Sequence, residues 1–292
     1  MQKPMVSIGM PVFNGEKFLE KSLQSLLAQT YTDFELIISD NASTDKTEEI
    51  CNDFESKDRR IKYYRNLTNI GLSANFNKVF RISRGEFFKW NNSDDLSGPN
   101  YLNLCVETMA CRTDVVLINS WSKFIDAEGK NINGIDYGWQ LMSDSPSERM
   151  LKVIDNIDHW VNSLYGLIRT NALVKTRLLG PYPGADYRLL AELSMIGKFF
   201  VIPNVLFWRR LHSGATSNKV KNEQWIKSYY YAGRKIYYPR NWCILIDFLL
   251  IVLLCNLKIS KKINLAIRII RWARWNIYAI RKELATVVKH YL

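Results

Sequence analysis

Cysteine is scarce in this sequence, and its placement excludes two common uses of the residue. The cysteines are five, an odd number, with no Cys-x-x-Cys pair and no zinc-type Cys/His spacing. We therefore expect neither a disulfide framework nor a zinc centre, but buried thiols in a reducing compartment. The five are Cys51, Cys105, Cys111, Cys243 and Cys255.

Glycine-rich phosphate-binding motifs and an apolar leader are also missing. The sequence contains no P-loop, no GxGxxG and no GxSxG motif. These absences argue against P-loop nucleotide hydrolysis, dinucleotide-dependent redox chemistry and serine hydrolysis. The first residues, MQKPMVSIGMPVFN, include no long apolar region, so we expect no secretory signal and a cytoplasmic protein.

Acidic residues are few in the last quarter of the chain. Residues 219–292 carry 15 of the 40 Lys and Arg but only three of the 28 Asp and Glu. Residues 1–218 hold 25 of each, so the net charge of +12 belongs to the C-terminal quarter. Such a local basic excess predicts contact with an anionic surface, either acidic lipid or nucleic acid.

The first hundred residues alternate between strand and helix patterns. Short apolar runs predict strands, and amphipathic stretches between them predict helices. This order predicts right-handed βαβ units and a largely parallel sheet flanked by helices, an α/β fold. The predicted strands are Met5–Val12, Phe34–Ser39, Ile61–Arg65 and Glu86–Trp90, and the predicted helices are Glu16–Gln29, the segment carrying Ile50 and Phe54, and Ser73–Ser83.

After Tyr101 the pattern is less regular. Ala127–Ser147 is predicted to be rich in loops, and Trp160–Arg169 to be a strand or a loop. Further strands are predicted at Val115–Ile118, Phe199–Ile202 and Leu206–Arg210, and a helix at Tyr187–Ile196.

Polar clusters follow three of the predicted strands. Phe13-Asn14, Asp40–Asp45 and Asn91–Asp95 come after the first, second and fourth strands. In a parallel α/β sheet the ligand lies beyond the carboxyl ends of the strands. We therefore expect these clusters to share one edge and to form a binding site there.

The adjacent carboxylates Asp94 and Asp95 predict a metal site. Two such charges repel each other unless a cation lies between them, and hard divalent ions prefer oxygen ligands and bridge phosphates. Mg²⁺ or Mn²⁺ at this place would neutralise a departing diphosphate. The alternative is a solvated turn or a helix N-cap, but the two other polar clusters at this edge favour a functional site.

Four other residues have a functional and a structural interpretation. Asp40 can accept a hydrogen bond from a base or ribose, or form an Asx-turn. Asn69 and Asn75 flank a glycine turn and a helix start, which binds anions or is simply capped. Asp186, in a glycine-containing loop before a helix, can act as a general base or as an N-cap.

The segment Trp208–Ser217 carries the last candidates. His212 can ligate a metal, and Arg209 and Arg210 can bind a diphosphate. A single histidine is more often a structural residue, so both interpretations stay open.

These residues together resemble a known family. The run VSIGMPVFNGEKFLEKSLQSLLAQTYTDFELIISDNASTDKT is similar to the opening of family 2 glycosyltransferases, and FFKWNNSDD is similar to their metal-binding DxD-type motif. The resemblance is dense over residues 5–100 and thinner through Gly184–Asp186 and Arg210–Ser217. It implies the GT-A fold, a nucleotide-diphospho-sugar donor, a divalent metal and an inverting single displacement.

The resemblance also implies roles for individual residues. Pro11 and Phe13 would line the nucleotide pocket with Asn14, and Asp40 would read the base, usually uracil. The remaining implied roles are a ribose or sugar contact for Asp94, the metal diphosphate for Asp95, the catalytic base for Asp186, and a further metal or diphosphate contact for His212.

The chain departs from the family pattern in three places. Asn92 replaces the first carboxylate of the usual DxDD pattern, which leaves the metal ligand set open. Ala185 precedes Asp186 where many members have Glu. No QxxRW motif is present, which argues against a processive synthase.

The basic C-terminal segment predicts membrane contact without a span. Trp242–Leu257 would reach only about 24 Å as a helix, short of the roughly 30 Å hydrocarbon core. Ile263–Leu292 is an amphipathic helix pattern with a basic face, typical of an interfacial helix on anionic lipid. The alternative is a helix that packs on the catalytic domain and exposes its basic face. The predicted apolar face is Leu265, Ile269, Ile277, Ile280, Leu284 and Val287, and the predicted basic face is Arg268, Arg271, Arg274, Arg281, Lys282 and Lys289.

The sequence therefore predicts three segments and one activity. Residues 1–110 form the donor-binding half of a domain, 111–218 its acceptor-binding and catalytic half, and 219–292 a membrane-associating helical extension. The predicted activity is transfer from a nucleotide-diphospho-sugar, a UDP-sugar above all, to a glycan or lipid-linked acceptor at the inner face of the cell membrane, with no nucleic-acid partner. The alternatives are a nucleotidyltransferase and a non-catalytic nucleotide-sugar binder.

Overall fold

A nine-stranded sheet organises the chain. The computed structural model describes residues 3–157, 162–214, 226, 230 and 238–291. The strands are β1 (Val6–Val12), β2 (Phe34–Asp40), β3 (Ile61–Arg65), β4 (Phe87–Trp90), β5 (Leu96–Ser97), β6 (Val115–Ile125), β7 (Asn131–Asp136), β8 (Leu167–Arg169) and β9 (Lys198–Arg210). Their order across the sheet is β3-β2-β1-β4-β8-β6-β9-β5, and β7 pairs with β6.

The first four strands form the parallel part of the sheet. β1 lies between β2 and β4 and is parallel to both, and β3 extends the sheet beyond β2. Every residue of β1 and β2 is buried, as expected for strands covered by helices on both faces. These strands and the helices between them confirm the predicted α/β fold.

The second part of the sheet is mixed. β8 is antiparallel to both β4 and β6, and it joins the two parts into one sheet. β9 runs parallel to β6 and is continuous, whereas the sequence predicts two strands. Pro203 and Asn204, which look like a break, are accommodated where the register shifts between Ser120 and Trp121. β7 lies in the region predicted to be loops.

Helices cover both faces of the sheet and bury separate cores against it. α1, α2 and α4 pack on one core, and α3, α5 and α7 pack on the other. The helices are α1 (Leu19–Leu27), α2 (Thr47–Lys57), α3 (Leu72–Arg81), α4 (Tyr101–Cys111), α5 (Pro146–Asp155), α6 (Thr170–Leu173), α7 (Ala185–Ile196), α8 (Arg240–Leu254), α9 (Ile259–Trp275) and α10 (Ile277–Tyr291), with a 3₁₀ turn at Asn162–Tyr165.

The last three helices form an outer layer over α5 and α7. α8 packs on α7, α9 packs on α5, and α10 contacts both α8 and α9. The sequence predicts one helix from Ile263 onward, whereas the structure has two, separated at Asn276. In the described ranges, no helix combines the length and apolarity that a membrane span requires.

The predicted lipid-facing side of this layer is corrected by the structure. Leu265 and Ile269 are fully buried in the core that lies under α5 and α7, and Ile280 is 4% exposed. These three residues therefore pack on the protein, whereas Ile277 and Leu284 of the same predicted face are 45% and 50% exposed. The side chain of Lys289, part of the predicted basic face, lies outside the described residues, as do Trp160, Thr216, Ser217 and the predicted boundary at 218.

Candidate active site

A cavity of about 740 Å³ opens at the carboxyl ends of β1 and β4. Its wall also includes the start of α3, the loop before α7, the end of β9 and the first residue of α8. The predicted site residues that line it are Pro11, Phe13, Asn14, Asp94, Asp95, Asp186 and His212.

Asp94 and His212 form the polar pair at the mouth of this cavity. Asp94 Oδ2 lies 2.9 Å from His212 Nε2, although the two residues are 118 positions apart in the chain. The His212 ring also packs 4.6 Å from that of Phe18, centroid to centroid, which fixes its orientation. The Asp94 side chain is 26% exposed, so one carboxylate and one imidazole face the cavity together.

Asp95 is turned inward. Its Oδ1 accepts a hydrogen bond from the backbone N–H of Arg210 at 2.9 Å, and its Oδ2 accepts one from the Asn92 side chain at 3.0 Å. Burial, followed by the charge of Asp94, raises the pKa of Asp95 to about 7. Asp94 is therefore the more exposed of the two carboxylates that line the cavity, and the predicted roles of Asp94 and Asp95 at a metal stay predictions.

The residues present fit a divalent ion that shares its coordination with a substrate. The described residues contain no group of three or more His, Cys, Asp and Glu side chains arranged to hold a metal by themselves. Mg²⁺ and Mn²⁺ sites on nucleotide enzymes commonly use one or two protein ligands, with phosphate oxygens and water completing the shell. Asp94 and His212, as predicted ligands, would supply that number.

Arg210 supports this loop through its guanidinium group. Its guanidinium donates to the backbone oxygens of Asp94, Asp126 and Ala127 at 3.0, 2.9 and 3.1 Å. The residue is 2% exposed. Both arginines line the cavity, and Arg209 also donates to Asn162 at 3.0 Å, so their predicted role in binding a diphosphate stays a prediction.

A buried lysine lies behind the acidic loop. Lys89 Nζ donates to Asn91 Oδ1 at 2.7 Å and to the Trp90 carbonyl at 3.2 Å. Burial lowers its pKa to about 7. Sequence analysis missed this residue, although a lysine inside the apolar strand Phe87–Trp90 is a recognisable signal, since charged residues are rarely fully buried.

Asp186 also lines the cavity, from the first turn of α7. Burial raises the pKa of its carboxyl, while backbone N–H groups and the charge of Arg240 act in the other direction. A carboxyl with a raised pKa in a cleft is suited to accept a proton at neutral pH. The N-capping alternative is not needed for the helix, whose N-cap is Gly184.

Gly184 permits α8 to reach this side of the cavity. Its φ of +87° is in the left-handed region, where a side chain would be strained. A Cβ at this position would also lie 3.0 Å from Ile244 and 3.2 Å from Arg240, both on α8. The close packing of α8 against the loop before Asp186 therefore requires glycine at position 184.

Asp247 of α8 holds the same loop through buried polar contacts. It accepts hydrogen bonds from the Tyr182 hydroxyl and from Arg177 at 2.8 Å, with Arg188 at 3.4 Å. Tyr182 lines the cavity two residues before Gly184. No local pattern relates position 182 to position 247, so sequence analysis missed this link.

Three predicted donor-binding residues do not line the cavity. Asp40 is fully buried and accepts hydrogen bonds from Tyr63, Arg65 and the Ser43 backbone, so its role in base recognition stays a prediction. Asn75 pairs with Ser39, and Asn69 with Asn41 and the Gly71 backbone. These contacts hold Asn69 and Asn75 beside the site, and their predicted role in donor binding stays a prediction.

Ser73 is a further residue that sequence analysis missed. It lies in the first turn of α3 and lines the cavity together with Leu72 and Phe76. Its hydroxyl is buried and has no hydrogen-bond partner within the described ranges. A buried hydroxyl without a partner beside a cavity is a candidate contact for a bound ligand.

The fold is that of GT-A glycosyltransferases. The crystal structure of S. aureus TarS in complex with UDP-GlcNAc matches 92% of this chain and 72% of that chain, with a TM-score of 0.67 at 17% identity. A mannosyltransferase of Pyrobaculum calidifontis in complex with GDP-Man and Mn²⁺ matches 99% of this chain and 75% of that chain, with a TM-score of 0.59 at 14% identity. Identities this low show a shared fold alone.

The chain belongs to glycosyl transferase family 2, whose family model matches residues 7–174. A relative named as an uncharacterized glycosyltransferase of Methanocaldococcus jannaschii is 37% identical over 131 residues, which is 44% of this chain and 45% of that protein. The chain spans about half the length of three of the first four curated relatives it matches.

Proposed function

We propose that this chain is an inverting glycosyltransferase that transfers a sugar from a nucleotide-diphospho-sugar to a glycan or lipid-linked acceptor. The observation that carries the proposal is the shared cavity, which is lined both by the Asp94–His212 pair and by Asp186. In this cavity the donor's diphosphate would bind beside Asp94 and His212, and the hydroxyl of the second substrate, the acceptor, would lie beside Asp186. The predicted donor is a UDP-sugar, consistent with the UDP-GlcNAc bound by TarS.

The metal end of the site would receive the donor's phosphates. Asp94 and His212 would hold a divalent ion, Mg²⁺ or Mn²⁺, which supplies neutralisation of the charge that develops on the departing nucleotide diphosphate. Asp95 is the support for this pair, because its bonds to Arg210 and Asn92 hold the loop in place.

The part of the cavity beside Asp186 would activate the acceptor. Asp186 would take the proton from the acceptor hydroxyl as that oxygen attacks the anomeric carbon, which inverts its configuration. Because burial raises the pKa of Asp186, its carboxylate is a stronger base than a solvated one. Pro11, Phe13 and Asn14 at the end of β1 would form the wall for the nucleotide.

The two alternatives remain outcomes of the test. A nucleotidyltransferase is disfavoured because the loop Pro11–Gly15 has no basic residue to bind a triphosphate. A non-catalytic binder would bind the donor with or without Asp186. The acceptor, the sugar and the location at the inner face of the membrane stay predictions.

The proposal is tested with purified full-length chain in two measurements. Thermal-shift assays with UDP-, GDP- and dTDP-sugars, with and without Mn²⁺, should show one nucleotide class raising the melting temperature, because a ligand that binds the native state stabilises it. With that donor, Asp186→Asn should lower transfer or donor hydrolysis by about 10²- to 10⁴-fold, the usual contribution of general base catalysis.

Asp53→Asn is the matched control, since Asp53 is an exposed acid on α2 that pairs only with Lys57 in the described contacts. It should leave activity unchanged. Full activity of Asp186→Asn would contradict the catalytic assignment, and donor binding with no turnover by the wild type would favour the non-catalytic binder.

A further inference from the structure

The outer layer of helices exposes a second apolar surface, which we name the outer apolar face. It is formed by two adjacent helices, and each of its residues is at least 36% exposed. Its members are Ile246, Leu249, Leu250, Leu253 and Leu254 of α8 and Ile259, Ile263, Ile267 and Ile270 of α9.

Each helix carries this face on the side opposite its buried stripe. On α8 the buried residues Ile244, Phe248 and Ile251 pack on α7, and the exposed residues follow the complementary helical positions. On α9 the spacing of Ile259, Ile263, Ile267 and Ile270 is four, four and three, which places them along one line. The two helices lie side by side, and Lys262 of α9 donates to the Leu253 carbonyl of α8 at 2.8 Å.

The charges around this face are mainly positive, and Asp155 of α5, which lies beside Ile267, is paired with Arg268 of α9. The described part of α8–α10 contains two acidic residues, Asp247 and Glu283, and both turn inward. Asp247 binds Arg177, Arg188 and Tyr182, and Glu283 accepts hydrogen bonds from the Asn241 and Trp242 backbone. The exposed basic residues are Lys258, Lys261, Arg268, Arg271, Arg274, Arg281 and Lys282.

The basic side chains continue the outer apolar face. Arg271 and Arg274 lie four residues after Ile267 and Ile270, so they prolong the same side of α9. At the turn into α10, Trp275 is 90% exposed and Tyr278 80% exposed. Aromatic rings and basic groups around an apolar strip are the composition that binds the interface of an anionic bilayer.

We propose that the outer apolar face docks this protein on an anionic lipid bilayer, with α8 and α9 lying in the interface plane. A second copy of the chain is a poorer occupant, because two such faces would bring their basic residues together without acidic partners. The inference concerns a surface outside the cavity and stands whether or not the proposed transfer reaction is correct. The membrane-contacting residues in this proposal are those of the outer apolar face, in place of Leu265 and Ile269, which the sequence predicts but which are buried.

Vesicle co-sedimentation of the full chain tests this proposal. The wild type should sediment with vesicles of phosphatidylcholine and phosphatidylglycerol at low salt, and less with phosphatidylcholine alone or at high salt. The variant Leu253→Asp/Ile263→Asp should reduce the bound fraction at limiting lipid about tenfold, because two charged groups enter the apolar contact. Arg271→Glu/Arg274→Glu should reduce binding in a salt-dependent way.

Matched controls are available elsewhere in the chain. Leu67→Asp/Ile132→Asp changes two exposed apolar residues outside the helical layer, and Lys21→Glu/Lys130→Glu reverses two exposed charges there. Both should sediment like the wild type. Circular dichroism and the donor thermal shift should be unchanged in every variant, so a failure of donor binding is recorded separately from a failure of docking.

Three results would overturn the proposal. The first is a wild type that does not sediment with anionic vesicles, and the second is a Leu253→Asp/Ile263→Asp variant that sediments as well as the wild type. The third is a wild-type dimer in sedimentation velocity that Leu253→Asp/Ile263→Asp dissociates and that anionic vesicles leave intact, which would assign the face to a second copy.

Discussion

The donor half and the C-terminal helices use their acidic residues in different ways. In the donor half, acids are balanced by bases, and Asp94 presents its carboxylate to a cavity. In the C-terminal helices, Asp247 and Glu283 turn inward and the bases remain outside. The difference teaches that a charge imbalance in the sequence can become a separation in space, in which the acids fasten the helices and the bases face outward.

The two regions meet at the loop before α7. Asp186 belongs to the catalytic domain, yet Arg240 and Asp247 of α8 flank its loop. We therefore expect that removal of a cavity-facing acid such as Asp94 lowers activity. Removal of an inward-facing acid such as Asp247 should instead lower the stability of the fold.

The largest effect is expected at the metal end of the cavity. Asp94→Asn should lower transfer by about 100-fold or more and remove the Mn²⁺-dependent part of the donor thermal shift, since a metal contributes several kcal/mol to charge stabilisation. Its own melting temperature should stay near that of the wild type, because Asp94 is partly exposed. The measurement is the donor thermal shift at increasing Mn²⁺ concentration. If the Mn²⁺ response persists in Asp94→Asn, Asp94 does not hold the metal.

A stability effect is expected at Asp247. Asp247→Asn leaves Arg177 and Arg188 without their carboxylate. Removing one partner of a buried ion pair typically lowers the free energy of unfolding by about 3 kcal/mol or more. Because Arg177 is 42% exposed, we expect a loss of about 2 kcal/mol. Urea unfolding measures it. Asp155→Asn is the control, since its pair with Arg268 is exposed on both sides and should cost below about 1 kcal/mol. Equal costs for the two variants would show that α8 is not fastened through Asp247.

The smallest effect is a displacement of a pH profile. Asp186 must be ionised to accept a proton, so activity should rise with pH on the acid side, and burial raises the pKa that sets this limb. The positive charge of Arg240 lowers the pKa of Asp186 and so opposes this shift. Arg240→Gln should therefore move the acid side of the activity profile to higher pH. Arg240→Lys keeps the charge and should leave the profile nearly unchanged. The dependence of kcat/KM on pH is the measurement. If the acid side of the kcat/KM profile is unchanged in Arg240→Gln, Arg240 of α8 does not influence the ionisation of the catalytic base.

The fold of the donor half could be predicted closely from the sequence. β1 to β4 lie within a residue of their predicted bounds, because fully buried parallel strands appear as short apolar runs between polar loops. The shared edge of Asn14 and Asp94 follows from the same topology. The Asp94–His212 contact and the inward turn of Asp95 could not be predicted, since both depend on how β9 lies beside the acidic loop.

The C-terminal helices show why periodicity alone is not enough. α9 has apolar residues on two opposite sides, with Leu265 and Ile269 on one and Ile263 and Ile267 on the other. A helical wheel identifies both sides but does not say which one packs, because that depends on the gap left by α5 and α7. The break at Asn276 has no strong sequence signal either, as neither glycine nor proline occurs there.

The position of Asp247 on α8 has a consequence for the acceptor. Leu249 and Leu250 follow it on the other side of the same helix, so only the thickness of α8, about 10 Å, separates the outer apolar face from the loop that carries Asp186. With α8 resting on lipid, that thickness sets a height above the bilayer. Under the docking proposed above, a lipid-linked acceptor would have to present its reacting hydroxyl within reach of the loop that carries Asp186.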